Sequence, residues 1–352
     1  MGSDGTYRST FSEFVPIQGV LQTICPDRSE FLNKDKILLG SVVLIRGTEG
    51  FDACRGGMIS IGNFDGVHRG HQKMIQTLVQ HARDRQLPAM VFTFDPHPIH
   101  LLRPEYAPPE LMGIEDRAAI LEQLGVDCVI AWPTSHDLLE LSPQEFFQQI
   151  LCDQLNAQGL VEGPNFYFGK DRAGDVNLLQ TLCEQAGMFF KVVEPSMCEA
   201  RMISSSEIRK AIQAGEVDQA AEMLGRLYQI RGTVSHGEAR GRGLGFPTAN
   251  LKGVQTLLPG EGVYSGFAVV GGKRYPAAIN LGGNPTFQNS EAKVEVHLIG
   301  FSGEIYDQDL QVEFLQKLRD IQTFADVETL KSQLAIDIES AKKQATQWKG
   351  LE

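Results

Sequence analysis

Ser60-Ile-Gly-Asn-Phe-Asp-Gly-Val-His-Arg-Gly-His71 is the stretch on which the reading of this chain turns. A short apolar run, Met58 to Ile61, enters it, and Met74, Ile75, Leu78, Val79 and Ala82 follow at helical spacing. Strand, glycine-rich turn and helix in that order present a helix N-terminus, whose free amides suit an anion. His68 and His71 stand three apart, so on a first helical turn they share a face.

Outward from this stretch, strand and helix patterns alternate up to about residue 200. Ser41–Arg46 reads as the first strand, followed by 58–61, 89–94, 127–131, 158–161 and 189–193. Helical periodicity covers 69–86, 115–124, 143–156, 175–187 and 205–213. Such alternation predicts an α/β domain with a parallel sheet and helices on both faces. Residues 95–109 carry five prolines and form a loop after a strand, where open α/β folds place ligands. Near Gly225 the texture changes to short alternating strands at 228–234, 263–270, 273–281, 293–299 and 310–315, the pattern of an all-β barrel or sandwich. An amphipathic helix at about 324–347, with Val327, Leu330, Leu334 and Ile338 on one face, closes the chain. The expected organisation is a poorly ordered extension (1–40), an α/β domain (41–212), a helical connector (213–226) and a β domain (227–352).

Bulk properties fit two soluble domains in 352 residues. A net charge of −12 argues against a broad nucleic-acid or anionic-membrane surface, and no apolar run is long enough to span a bilayer. Six cysteines without any Cys-x-x-Cys pair suit neither a zinc ribbon nor a disulfide scaffold and read as reduced thiols of a cytoplasmic protein. For assembly, the expectation is a weak homo-oligomer at most.

A second motif, Ile203-Ser-Ser-Ser-Glu-Ile-Arg209, caps a later helix and adds a cation one turn on. Joined to the first, it could neutralise a polyphosphate. Gly163 to Lys170 is not a Walker A loop, because five residues separate its glycines and Asp171 follows the lysine. Gly241-Arg-Gly-Leu-Gly245 opens no helix and runs into Phe246-Pro247, so it is a poor dinucleotide fingerprint.

The Gly62-x-Phe64-Asp65-Gly66-x-His68-x-Gly70-His71 pattern resembles the signature of the HxGH nucleotidyltransferases. With Phe94-Asp-Pro-His-Pro98, Gly163-Pro-Asn165-Phe-Tyr-Phe-Gly169 and the serine-arginine motif, it resembles the FMN adenylyltransferase module of prokaryotic FAD synthetases. The resemblance implies in-line attack of the FMN phosphate on the α-phosphorus of ATP. It assigns catalytic contacts to His68, His71, Ser206 and Arg209. Nucleotide contacts fall to Gly62, Asn63, Phe64, Asp65, Gly66, Gly70, Asn165 and Ser205. A phosphate monoester is already anionic, so this nucleophile needs no base; the barrier is charge dispersal.

In the second half, Gly245-Phe-Pro247-Thr248-Ala-Asn250 and Val294-Glu295-Val296-His297-Leu298 resemble riboflavin kinases, as do Gly262-Val-Tyr264, Asn280-Leu-Gly-Gly-Asn284 and Leu318-Arg319. Strict alternation puts Glu295 and His297 on the face opposite the valines. The resemblance implies that Gly245, Pro247, Thr248, Asn250, Asn284 and Arg319 contact flavin or ATP, and that Thr248 and Asn250 hold the Mg²⁺ of the nucleotide. Glu295, at a barrel mouth, would accept the riboflavin hydroxyl proton, since an alcohol, unlike a phosphate, must lose one as it attacks. The expected substrates and products are riboflavin, FMN, FAD and ATP, with Mg²⁺ arriving on the nucleotide. Two alternatives stand beside this reading: a nucleotidyltransferase for another phosphorylated substrate, and a flavin-binding regulator with decayed sites.

Overall fold

The computed structural model describes residues 36–39, 42–50, 52–198, 201–236, 245–282 and 293–351. Strands β1 (Lys36–Leu39), β2 (Val42–Arg46), β3 (Met58–Ile61), β4 (Ala89–Asp95), β5 (Cys128–Pro133), β6 (Gly159–Glu162) and β7 (Phe189–Val192) form one sheet in the order β1-β2-β5-β4-β3-β6-β7. The last six are parallel, and β1 pairs antiparallel with β2, Leu39 opposite Val42. Ser41–Arg46 is therefore not the first strand: β1 precedes it, inside the stretch read as extension. The rest of that stretch, 1–35, lies outside the described residues.

Both faces of the sheet are apolar, as a parallel sheet covered by helices requires. Ile59, Met90, Phe92, Ile130 and Leu160 pack on one side. Met58, Val91, Val129 and Val161 pack on the other, with Ile75, Leu78 and Ala82 of α1 (Arg69–Asp84). Helix α2 (Ile114–Gln123) covers the same side through Ala118 and Leu121, and α3 (Val176–Ala186) covers the opposite one through Leu179 and Cys183. The helix expected over 143–156 is a single turn, Pro143–Glu145, continuing as a π-helical segment, Phe146–Gln154. Strand order reverses at β3, whose neighbours are β4 and β6. The loops leaving β3 and β6 thus flank a crevice of the kind that binds ligands in open α/β sheets.

A short antiparallel pair, β8 (Met197–Cys198) and β9 (Arg201–Met202), leads into α4 (Ser205–Ala214) and α5 (Val217–Leu224). Then β10 (Tyr228–Ser235), β11 (Ala249–Lys252), β12 (Gly262–Val270), β13 (Lys273–Gly282), β14 (Lys293–Leu298) and β15 (Asp309–Arg319) close a barrel in the order β10-β11-β14-β13-β12-β15. β11 falls on the Thr248–Asn250 motif, where no strand was expected. Ile208 and Ile212 of α4 and Leu224 of α5 share one continuous core with Tyr264, Val296 and Phe314 of the barrel. The two halves are packed together rather than strung on a linker. Leu257 N donates to Glu110 O at 2.8 Å, Gly260 N donates to Ile212 O at 3.0 Å, and Arg231 pairs with Asp116 at 2.8 Å.

The terminal helix α6 (Val327–Gln347) docks along the expected face, with Leu330, Leu334 and Ile338 half-buried and Val327 exposed. Its most buried positions are Asp337, Ala341 and Ala345, one residue every four. An ion pair anchors that face: Arg319, at the end of β15, grips Asp337 with Nε at 3.1 Å and Nη2 at 2.7 Å. Small alanines beyond it let the helix lie close to the barrel.

Candidate active sites

The turn leaving β3 is tightly coiled. Phe64, Gly66 and Val67 have φ of +49°, +83° and +35°. Phe64 and Val67 are fully buried, which keeps them in a region that side chains otherwise avoid. A Cβ on Gly66 would stand 2.8 Å from Leu111 Cδ1, so glycine is needed there twice over. The turn ends at His68, the N-cap of α1, whose Nδ1 accepts from His71 N at 3.2 Å. The two imidazoles stack at 3.6 Å between centroids, and Phe64 meets His71 edge-on at 5.2 Å.

Burial, helped by Arg226, holds His68 down to about 4. Burial, then His68, Arg117 and Arg226, pushes His71 well below its ordinary value. At neutral pH both rings are therefore uncharged in the free protein. In this form they offer hydrogen bonds rather than charge to a phosphate. His71 Nδ1 and Asn63 Oδ1 are buried polar atoms without a hydrogen-bond partner among the described residues, as in a site awaiting a polar ligand.

Asp65 is where the distant motifs meet. Its buried carboxylate accepts from Leu111 N at 3.0 Å and Met112 N at 3.2 Å, and it pairs with Arg209. Arg117 approaches the same carboxylate at 3.9 Å. The Asp65 carbonyl accepts from Ser205 Oγ at 2.8 Å. Ser204 is the true cap of α4, accepting from Glu207 N at 3.3 Å, and Ser206 is exposed in the first turn. A Cβ on Gly70 would come within 3.1 Å of His68 Nδ1 and 3.9 Å of Ile203 O, so the two helix starts adjoin. Gly62 continues β3, its N donating to Phe92 O at 3.0 Å.

The third motif also joins them. Glu162, buried at the end of β6, accepts from Ile61 N at 2.7 Å, and burial raises its carboxyl well above the usual range. Asn165, exposed, donates Nδ2 to Met202 Sδ at 3.8 Å, and Arg172 lies 4.9 Å over the exposed Tyr167 ring. Beside this constellation, Asn63, Phe94, His97, Glu110, Arg117 and Arg209 border a small pocket that opens to solvent. His97, placed in the pocket wall, is held down to about 4 mainly by burial and then by His100 and Arg209. Motif reading missed Arg117 and Arg226. Each is a lone arginine in an ordinary pattern, and only convergence in space marks it.

In the barrel, Val294 and Val296 point into the core, so Glu295 lies on the outward face of its strand. Asn250 and Asn280 stand directly opposite it on the two flanking strands. Asn280 Nδ2 donates to Glu295 at 3.3 Å, and Lys293 pairs with it at 2.7 Å. His297 Nδ1 lies 2.8 Å from Pro247 O, which ties the strand to the Pro247–Thr248 segment. Thr248 is half-buried and Gly245, with φ +89°, is exposed. Arg319 is engaged with Asp337, as described above. Gly241–Leu244 and Asn284 lie outside the described residues.

Residues 52–207 match the family model for FAD synthetase and 224–345 the model for riboflavin kinase. A bifunctional riboflavin kinase/FMN adenylyltransferase of Pseudomonas fluorescens is 38% identical over 292 residues, covering 83% of this chain and 94% of that protein. Its namesake in Escherichia coli K12 is 35% identical over 298 residues, 84% and 95% of the two chains. The one in Bacillus subtilis is 36% identical over 291 residues, 81% and 91%. A solved structure described as a macrolide-efflux protein from Streptococcus pneumoniae is 32% identical, with a TM-score of 0.79 over 88% of this chain and 99% of that one. Among the described residues no helix is long and apolar enough to cross a membrane. With both family models in tandem and relatives matched along nearly their whole length, the chain belongs to the bifunctional riboflavin kinase/FMN adenylyltransferases, which phosphorylate riboflavin to FMN and adenylate FMN to FAD with ATP.

Proposed function

We propose that adenylyl transfer takes place at the turn after β3, with His68 and His71 contacting the ATP phosphates. Asn63, the neighbouring helix starts and Asn165 would surround the nucleotide. The supporting observation is the convergence of Asp65, Ser205 and Arg209 beside two stacked, uncharged imidazoles. Neutral imidazole suits the reaction. A ring N–H can donate to the α-phosphate and to the departing pyrophosphate without first neutralising the incoming FMN phosphate, so no covalent intermediate or general base is needed. Gly62, Phe64, Gly66 and Gly70 act through the backbone of the turn. In this reading Asp65 serves by aiming Arg209, whose Nε is already bound to Pro109 O at 2.8 Å. Ser206 stands in the first turn of α4, where its amide and hydroxyl can meet an anion.

For the kinase we propose Glu295 as the base that takes the riboflavin hydroxyl proton. Asn280 and Lys293 hold the carboxylate in place. Thr248 and Asn250 fit a hard cation: each supplies an oxygen, Thr248 just before β11 and Asn250 within it, opposite Glu295. They would hold the Mg²⁺ of Mg-ATP, which neutralises phosphate charge when bound. Gly245, Pro247 and Asn284 complete the proposed ligand set. The proposed boundaries are 41–212 for the transferase, with β1 added at its edge, 213–226 for the connector and 227–352 for the kinase. We propose a cytoplasmic protein without nucleic-acid or membrane partners and at most a weak homo-oligomer.

The test follows FMN, FAD, ADP and pyrophosphate chromatographically, from riboflavin and from FMN. His71→Ala should lower FAD formation from FMN by about a hundredfold, in the range of lost transition-state donors, and leave FMN formation unchanged. Equal loss of both would remove the assignment.

A further inference from the structure

Arg226 lies in the part of the chain that matches riboflavin kinases, yet its guanidinium serves the other half. Nη2 donates to Gly66 O at 2.6 Å, and Nη1 donates to Val67 O and Leu224 O at 3.2 Å each. Gln72, in the first turn of α1, donates Nε2 to the same Val67 O and Leu224 O at 2.8 Å. Together these bonds pin the end of α5 to the two residues that precede His68. Those residues need a restraint. Val67 is β-branched at φ +35°, a conformation such side chains avoid, and Gly66 stands at φ +83°. Carbonyls turned inward by that conformation must find donors, and a planar guanidinium supplies several in fixed directions.

We infer that Arg226 is a positioning residue for adenylyl transfer supplied by the last residue of the connector, where the riboflavin kinase match has already begun, holding the Gly66–Val67 peptides so that His68 and His71 keep their stacked arrangement. This rests on the proposed contact of the two imidazoles with ATP phosphates. The charge of Arg226 acts on the same pair. It lowers His68, and it joins His68 and Arg117 in lowering His71. Arg226 itself is buried enough to be lowered to about 10, with Asp116 opposing that shift, and so stays charged at neutral pH. Removing the guanidinium changes both the geometry of the turn and the titration of its histidines. A plain packing role would change neither.

The full-length chain is compared as wild type, Arg226→Met and Arg226→Lys. FAD formation from FMN and FMN formation from riboflavin are measured separately, and the His68 and His71 ring signals are titrated by NMR. Arg226→Met should lower kcat for FAD formation by about ten- to a hundredfold, the scale of a misplaced catalytic group. It should leave FMN formation unchanged and raise the His68 midpoint. Arg226→Lys, which keeps the charge without the fork, should restore the midpoint more fully than the rate. Equal loss of both activities, an unchanged rate of FAD formation, or an unmoved His68 titration in Arg226→Met would overturn the inference. His68→Ala separates the two levels of the argument. FAD formation that survives it removes the phosphate contact, whereas an unmoved titration in Arg226→Met removes the coupling.

Discussion

His68 and His71 are held uncharged by the fold, and that has a price in stability at low pH. For His68 the unfolded ring takes up its proton near 6.5, while the folded ring resists until about 4. The sign follows directly: the contribution is whole above 6.5 and is lost as pH falls between the two values. At about 1.4 kcal/mol per pH unit, the gap is on the order of 3 kcal/mol for this buried ring. His68→Asn keeps a side-chain acceptor for the cap but does not titrate. Its urea midpoint, followed between pH 7 and pH 4, should fall less steeply than that of the wild type; parallel slopes would remove His68 from this role. The histidines were legible in the sequence because a rare spacing sits between a strand and a helix. Their charge state was not, since it depends on burial and on Arg117 and Arg226, which lie far along the chain. The same limit hid the engagement of Arg209. An arginine one turn into a capped helix reads as a free phosphate ligand until Asp65 is found beside it.

At the scale of elements, hydrophobic periodicity located the strands of the sheet and most of its helices, because buried parallel strands and amphipathic helices carry strong signals. It failed where a local pattern was short: β1 and β11 are four residues each, and β11 lies in a motif where no strand was expected. Arg319 is the instructive case, for the residue expected to touch flavin or nucleotide also grips Asp337 of α6. Arg319→Lys retains charge but loses the bidentate fork, and should cost about 2 kcal/mol of barrel stability, the scale of hydrogen bonds to a charged group. Asp337→Asn should produce the same loss, and both variants should raise KM for the kinase reaction to the same extent. Matching effects in thermal melts and kinetics identify Arg319 as a strut that positions α6. An effect on KM confined to Arg319 would return it to the ligand.

Across the whole molecule, the two halves are fused by a common core and by Arg226, yet their chemistries call for opposite equipment. The transferase begins with an anionic phosphate and sets two stacked imidazoles beside the arginines that Asp65 gathers. The kinase begins with an alcohol, and on the outward face of a barrel strand stands Glu295, bracketed by Asn250 and Asn280. Replacing that carboxylate by its amide preserves shape and the bond to Asn280 while removing the capacity to take a proton. Glu295→Gln should therefore lower FMN formation from riboflavin by about a hundred- to ten-thousandfold, the usual worth of a positioned general base. FAD formation from supplied FMN should be untouched, because the partners of Glu295 among the described residues are Asn280 and Lys293 of the barrel and the FMN phosphate needs no base. With riboflavin as the sole flavin, FAD would disappear as well, for want of FMN, and adding FMN would restore it. A variant that still makes FMN at the wild-type rate would remove Glu295 as the base. One that loses FAD formation from FMN would show that the shared core carries the damage from one half to the other.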